Sequence, residues 1–418
     1  MINFTFTAWP EMLAWPYLML QGWLPYKDIA IAHNPLLLLD LVIFFKIFGV
    51  GIVQLKIYTW ILIAINIYLV YFVTNKFWNK KTSLLSGILY LVLCIIFEGN
   101  GLWFDLALTP FALLLYLFIR EKKYALAGVA FALGFLTKQT FVYFIIPVGI
   151  ILIQNSKLKV LNYIRFFAGS FLVLLIPLAL FAHLGILDDY YNWAIKFGIL
   201  YLPNAVGQIS LPSLKQLLFA FAPFLVAVLS TQYLVLGFAI VGALGVYPRW
   251  ELFHFQPALP FLAIAIATII YSKKNIALKI IVAVCCISHL VYGVTRQIGN
   301  NTRFFEPQVH RLVESIQGLN TKELYVINYW DNIYALTNTT PAIKPLIPYI
   351  PWYLNYDNNK EKILNDLKTK MPEAVVIGER DKVFPELYYF VDRFYECKIV
   401  EKKVELCDKH SLLLRSKN

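Results

Sequence analysis

The sequence predicts a mainly α fold: a polytopic bundle of transmembrane helices followed by a C-terminal α/β domain on the extracytoplasmic side. Three observations predict it. Of the 418 residues, 59% are apolar and 15% charged, whereas soluble proteins are roughly half apolar and about a quarter charged. Apolar runs of roughly 15 to 23 residues, near the length that crosses a bilayer core, recur from residue 36 to about 294. Ordinary soluble composition then returns over the rest of the chain. The expected division is a membrane domain over 1–300, with a first outer loop at 1–50 and spanning helices within 52–294, and a soluble domain over 301–418.

The first eight residues have neither a basic region nor an apolar core, so no signal peptide is expected. The stretch from Trp9 to Pro35 is aromatic and broken by prolines, which forbid one continuous helix. It reads as short amphipathic pieces at a membrane surface, where Trp and Tyr prefer to sit. Leu36–Gly49 is apolar but short and carries Asp40 and Lys46, so it is expected to lie along or dip into the outer interface. Spanning runs follow at Ile52–Thr74, Ser83–Phe97, Leu106–Ile119, Tyr124–Leu136, Phe141–Ile153 and Phe166–Leu184. A long loop is expected from Gly185 to Pro212. Two runs then fill Leu214–Val246 and meet near Ser230-Thr-Gln232, and two more occupy Leu259–Tyr271 and Ile276–Val294.

Net charge is +12 and is concentrated in the membrane part. Alternation puts Lys76, Lys80, Lys81, Arg120, Lys122, Lys123, Lys157, Lys159, Arg165, Lys273 and Lys274 on one side, opposed only by Glu121. By the positive-inside rule that side is the cytoplasm of a plasma-membrane protein. The opposite side collects the opening stretch, the Glu98–Asp105 turn, Lys138, the Gly185–Pro212 loop, the Arg249–His254 turn and the tail. A nucleic-acid binder would show a basic stripe on a soluble face instead, so no nucleic-acid partner is expected.

In the tail, Glu323–Asn328, Ala374–Glu379, Cys397–Val404 and Ser411–Leu414 read as strands. Asn359–Lys370 and Phe384–Phe394 have helical spacing, and Pro341–Pro351 reads as a loop. The tail is expected to be a partner or lid domain, not the catalytic one. Cys94, Cys285 and Cys286 lie in apolar runs and read as packing residues, while Cys397 and Cys407 can pair in an oxidising compartment.

An outward-facing cavity holding carboxylates and cations suits sugar transfer from a polyprenyl-phosphate donor. The phosphate leaving group is already a stable anion and needs cations. The acceptor hydroxyl needs a base, and a carboxylate can serve. Glu11 is the candidate base, against the alternative of an interfacial helix cap. Asp105 is a second candidate, against a helix-end charge. Lys138 lies between two short apolar runs, where a lysine is costly, and is a candidate phosphate ligand, against a snorkelling lysine. Arg249 and His254 share a turn with Glu251 and are candidates for phosphate or metal. Asp28 and His33 flank the apolar run as supporting residues, and Tyr190, Tyr191 and Trp193 are candidates for stacking on sugar or lining a lipid groove. A divalent metal ion is the one cofactor these residues suggest, provided Glu11, Asp105 and His254 converge.

Three patterns together resemble the GT-C superfamily of integral-membrane glycosyltransferases, in the branch of the protein O-mannosyltransferases and the lipid A aminoarabinose transferase. The first is an acid followed by Gly22-Trp-Leu-Pro-Tyr-Lys-Asp28, His33-Asn-Pro35 and a helix ending at Phe48-Gly49. The second is the Gly-rich run Ala127–Lys138 ending in Thr-Lys. The third is Tyr247-Pro-Arg249 with His254 and Pro257-Ala-Leu-Pro260. The resemblance implies a lipid-phosphate donor, inversion at the anomeric carbon, and a glycan, lipid or protein acceptor. It places the first-loop acid on Glu11, the second-loop acid on Asp105, the donor-side lysine on Lys138 and a phosphate contact on Arg249. The family usually has Asp-Glu where this chain has Pro10-Glu11, and a transmembrane helix before that loop. The alternative is a non-catalytic GT-C-like scaffold or a lipid-linked-sugar binding or transport protein. Transporters more often carry polar groups at mid-membrane on broken helices.

Overall fold

The computed structural model describes residues 4–154, 159–271, 276–298 and 307–409. The expectations at Lys157, Lys273 and Lys274, for the side chain of Cys285 and for a strand at Ser411–Leu414 fall outside the described residues.

The chain opens with α1 (Glu11–Leu20) and α2 (Leu36–Phe48). Six helices follow: α3 (Ile52–Phe77), α4 (Lys80–Ile96), α5 (Phe104–Arg120), α6 (Tyr124–Thr137), α7 (Ile145–Gln154) and α8 (Lys159–His183). The bundle closes with α9 (Leu187–Tyr190), α10 (Leu214–Ala227), α11 (Tyr233–Ala243), α12 (Leu259–Ile270) and α13 (Ile276–Thr295).

The faces of α3 show what solvent the bundle is built for. Its exposed face carries Val53, Ile57, Ile61, Ile65, Tyr68 and Phe72, spaced three or four apart. The buried face holds Thr59 and Asn66 among Leu55, Ile63, Val70 and Val73. Thr59 donates to the Leu55 carbonyl at 2.8 Å. An apolar outer stripe with hydroxyl and amide turned inward reverses the water-soluble pattern and suits hydrocarbon around the helix. The outer face of α8 repeats it with Val160, Ile164, Phe167, Phe171 and Leu175. Among the described residues, Ile52–Phe77 and Val160–His183 are long and apolar enough to cross a membrane. The remaining apolar helices of the bundle are shorter.

Glycines let α6 and α8 approach closely. A Cβ at Gly128 would run into the Phe166 carbonyl, and one at Gly169 into the Ala125 carbonyl. Ser170 donates across the same seam to the Gly128 carbonyl at 3.0 Å. Small residues and an interhelical hydrogen bond are the packing devices available where lipid supplies no hydrophobic drive. They fix the direction of α6 and therefore the place of Lys138 at its end.

Three expectations need correction. The segment 185–212 is not a loop throughout: α9 runs into an 11-residue π-helix, Tyr191–Tyr201, and a 3-10 turn at Leu202–Asn204. Gly198 explains the fit, because a Cβ there would strike the Ala32 carbonyl of the first loop. Helix α1 is not amphipathic, since every residue from Glu11 to Leu18 is buried. It packs against the C-terminal helix α15 (Asn332–Thr337) as well as α2. The stretch Cys397–Val404 is not one strand but part of a hairpin that turns at 402–403.

The C-terminal unit contains α14 (Pro307–Gly318), α15, α16 (Pro351–Leu354), α17 (Asn359–Lys370) and α18 (Pro385–Phe394). Its sheet has strands β1 (Glu323–Ile327), β2 (Thr340–Pro341), β3 (Ala374–Ile377), β4 (Tyr395–Glu401) and β5 (Val404–Lys409), in the order β2-β1-β3-β5-β4. β1 is parallel to β2 and β3, and β5 is antiparallel to β3 and β4. Cys397 and Cys407 sit opposite each other in the β4–β5 register and form a disulfide.

Candidate active site

A cavity of about 480 Å³ lies where the bundle meets the C-terminal unit. Glu11, His33, Lys138, Arg249 and His254 all line it. Four different stretches of chain bring them there. Glu11 begins α1, which Pro10 starts without a side-chain cap. Lys138 ends α6 in extended conformation, with its backbone N–H on the Gly134 carbonyl. Arg249 and His254 flank a turn that hydrogen-bonds to Ser210 through Trp250 N–H and the Pro248 carbonyl.

The floor is a charged knot. Asp105, in the first turn of α5, is fully enclosed, and its Oδ2 accepts from Lys138 Nζ at 2.6 Å and faces His254 Nδ1 at 2.9 Å. Lys138 Nζ also lies 3.2 Å from His254 Nδ1. A lysine in such a place needs a counter-ion, because an unpaired buried charge is costly. Burial, and then the Lys138 charge, hold His254 below the ordinary imidazole range. Burial and then Lys138 likewise push His33 down to about 3. Both histidines are therefore neutral at pH 7 and offer hydrogen bonds, not charge.

Lys138 Nζ, Asp105 Oδ2 and His254 Nδ1 thus form a triangle in which each atom touches the other two. Among the described residues, the group with metal-ligand spacing is Cys397, Glu405 and Cys407, and both of its cysteines are in the disulfide.

Arg249 has three side-chain partners. Its Nε donates to Glu251 Oε1 at 2.6 Å. The guanidinium lies over the rings of Trp9 and Trp352, at 5.9 and 5.2 Å. Trp352 belongs to the tail, so the unit expected to be a lid supplies part of the wall.

Three other expected residues lie elsewhere. Asp28 bonds the Leu24 N–H and Lys344, both at 2.9 Å. Tyr190 is buried against Tyr26 and donates to Asn34 at 2.9 Å. Tyr191 is 56% exposed and away from the cavity. The aromatic side chains that line the cavity include instead Trp9, Trp15, Trp103, Trp352 and Tyr353.

Several positioning residues escaped the sequence reading. Asn34 donates to the Phe135 carbonyl, and Gln139 bonds the carbonyls of Ala32 and Ala194 at 2.8 and 3.0 Å. Together they knot the first loop to the end of α6 and to the π-helix. Their signal was present, since Asn34 follows His33 and Gln139 follows Lys138.

Asp331 carried no such signal. It precedes α15, next to Trp330, whose ring meets Trp9 edge-on at 6.4 Å. Burial, and then the nearby Glu11, push its carboxyl up to about 8. An unfolded Asp titrates near about 3.9, so the folded chain binds the extra proton between the two values. Stability contributed there is therefore lost as pH rises from about 4 to about 8. Asp331→Asn is expected to gain thermal stability over the parent as pH is raised from 5 to 8, read from melting curves in detergent. A gap that does not change with pH would remove Asp331 from this account.

Fold and site together define a helical bundle with two helices, among the described residues, long and apolar enough to cross a membrane, and a cavity lined by charged and aromatic side chains where the bundle meets the C-terminal unit. The family model for dolichyl-phosphate-mannose-protein mannosyltransferases matches residues 32–183, the part that holds His33, Asp105 and Lys138. The crystal structure of ArnT from Cupriavidus metallidurans in the apo state is similar over 97% of this chain and 95% of that one, at a TM-score of 0.66 and 11% identity. The same protein bound to undecaprenyl phosphate matches over 98% and 95%, at the same score and identity. Among curated proteins, none matches the sequence. The family model covers residues 32–183 of the chain, and the likeness to ArnT shows a shared fold over nearly its whole length.

Proposed function

We propose that the chain transfers a sugar from a polyprenyl-phosphate donor to a hydroxyl of a glycan, lipid or protein acceptor, with inversion, on the extracytoplasmic face of the plasma membrane. One observation carries this reading: a carboxylate, Glu11, and two cations, Lys138 and Arg249, line one cavity with apolar and aromatic walls. Val142, Ile199 and Leu202 on that wall suit a prenyl chain. The likeness in fold to ArnT, which binds undecaprenyl phosphate, supports the same donor class.

In the mechanism Glu11 takes the proton of the acceptor hydroxyl, and the oxygen attacks the anomeric carbon from the face away from the phosphate. The bond from that carbon to the phosphate oxygen breaks, and polyprenyl phosphate leaves with the electron pair. Arg249 and Lys138 stabilise the added charge where it develops. The chain's own cations serve the leaving group.

The sidedness rests on where charge sits along the helices. Glu121 pairs with Lys123 at 2.8 Å and with Lys76. This basic group lies beyond the C-terminal end of α5, whereas Asp105 begins it. A 17-residue helix spans about 25 Å, so cavity and basic cluster lie at opposite ends of the bundle, as the positive-inside rule requires.

Arg249→Ala is expected to raise KM for a polyprenyl-phosphate sugar about 10- to 100-fold, the worth of a charge-assisted hydrogen bond. The check is initial-rate kinetics with purified protein in detergent or vesicles. Unchanged donor dependence would sink the phosphate assignment.

A further inference from the structure

The C-terminal unit reaches the cavity by one segment, residues 343–353. Prolines at 345, 348 and 351 stiffen it. It is fastened at both ends. Near its start, Leu346 pairs as a strand with Ile29 of the first loop, through Ala30 N–H on the Leu346 carbonyl and Leu346 N–H on the Asp28 carbonyl, at 2.9 and 2.8 Å. Beside that pairing, Lys344 makes an ion pair with Asp28 at 2.9 Å and lies over the Trp23 ring at 4.4 Å. At its far end, Tyr353 packs on Phe197 at 4.5 Å, and Tyr356 donates to Asn192 at 2.9 Å on the π-helix.

Between these fastenings stands Trp352, with its ring against the Arg249 guanidinium. The Trp9 ring is the second near the guanidinium, at 5.9 Å, and Glu251 holds Nε. Two rings and one carboxylate thus engage the guanidinium, and among the described residues its Nη atoms hydrogen-bond to no protein group. A planar cation held at its Nε edge beside two rings is restricted in how it can turn, and its Nη N–H groups remain to meet a phosphate, the recognition in which Arg outperforms Lys.

We propose that the C-terminal unit is a working part of the donor site: the strap at 343–353, docked on the first loop through Lys344 and Asp28, presents Trp352 as a positioning residue that holds Arg249 for the donor phosphate. This rests on the reading of Arg249 as the phosphate ligand. It also accounts for Asp28, which docks the strap and takes no part in the reaction. The cation–π contacts lock a guanidinium that would otherwise sample several rotamers, so their loss weakens donor binding and spares the chemical step.

The test is a kinetic cycle with a polyprenyl-phosphate sugar. Trp352→Ala is expected to raise donor KM about 10-fold, with kcat within about twofold. Trp352→Phe keeps an aromatic face and is expected to recover most of the loss. Lys344→Glu, which loosens the strap outside the cavity, is expected to raise donor KM about threefold. In an Arg249→Ala background, Trp352→Ala and Lys344→Glu are expected to add nothing, because both act through the guanidinium. An unchanged KM in Trp352→Ala, or an equal loss with and without Arg249, overturns the proposal. Should Trp352→Ala not fold, Trp352→Phe and Lys344→Glu carry the same cycle. A failure of the underlying reading looks different: Arg249→Ala alone would then leave donor KM unchanged.

Discussion

Glu11→Gln is expected to lower kcat by about 10²- to 10⁴-fold, the usual worth of a positioned general base, while leaving KM for the lipid donor nearly unchanged. The substitution keeps the side chain's volume in a buried site, so packing is preserved and only the proton acceptor is removed. Glu11 lies with Lys138 and Arg249 in one cavity, and the base acts on the acceptor, not on the donor phosphate. The effect therefore falls on turnover. Glu11→Asp keeps the carboxylate but shortens its reach, and should recover part of the rate. Turnover in Glu11→Gln at the parental rate would leave a lipid-handling scaffold as the better account.

The second large effect is expected at Asp105. Its carboxylate is the counter-ion for Lys138 and the partner of His254 inside a closed knot. Asp105→Asn removes the anion and leaves the lysine enclosed, a change that costs about 3–5 kcal/mol. The expected result is a lower unfolding temperature in detergent and loss of transfer activity. Adding Lys138→Met should restore much of the stability, since a neutral apolar side chain needs no counter-ion, yet it should not restore transfer. That split between stability and activity identifies Asp105 as the support of Lys138. A stable, active Asp105→Asn would show instead that the knot is incidental.

The sequence was legible wherever structure is local. Helices α3 to α6 begin and end within a few residues of the expected runs, because apolar periodicity, basic ends and turns such as Asn79, which caps α4 by accepting from Thr82, are properties of neighbouring residues. Strands β1 and β3 were readable from their Val and Ile content in the same way. The Gly185–Pro212 segment was misread because its helicity depends on partners far away: Gly198 against Ala32, and Trp193 against Tyr353. Nothing in its own composition announces them.

The site divides along the same line. Residue types, order and the gathering of ionisable groups at one end of the bundle followed from the chain alone, because lipid forbids such groups almost anywhere else. The sequence could not rank the candidates. Asp105 and Glu11 look alike as acids near helix starts, yet one is tied to a lysine 33 positions away and the other lines the cavity. Asp28 and Tyr190 sit in plausible motifs, but packing turns them to other partners.

What the sequence by itself determined is the local structure and the residue types: apolar helices, with an acid and cations at their ends. Only the tertiary structure decided which of them meet, and that the tail contributes Trp352 and Asp331. The physical reason is range. Helix periodicity and membrane partitioning act over a few residues, whereas juxtaposition across hundreds of positions is set by close packing, which no local pattern records.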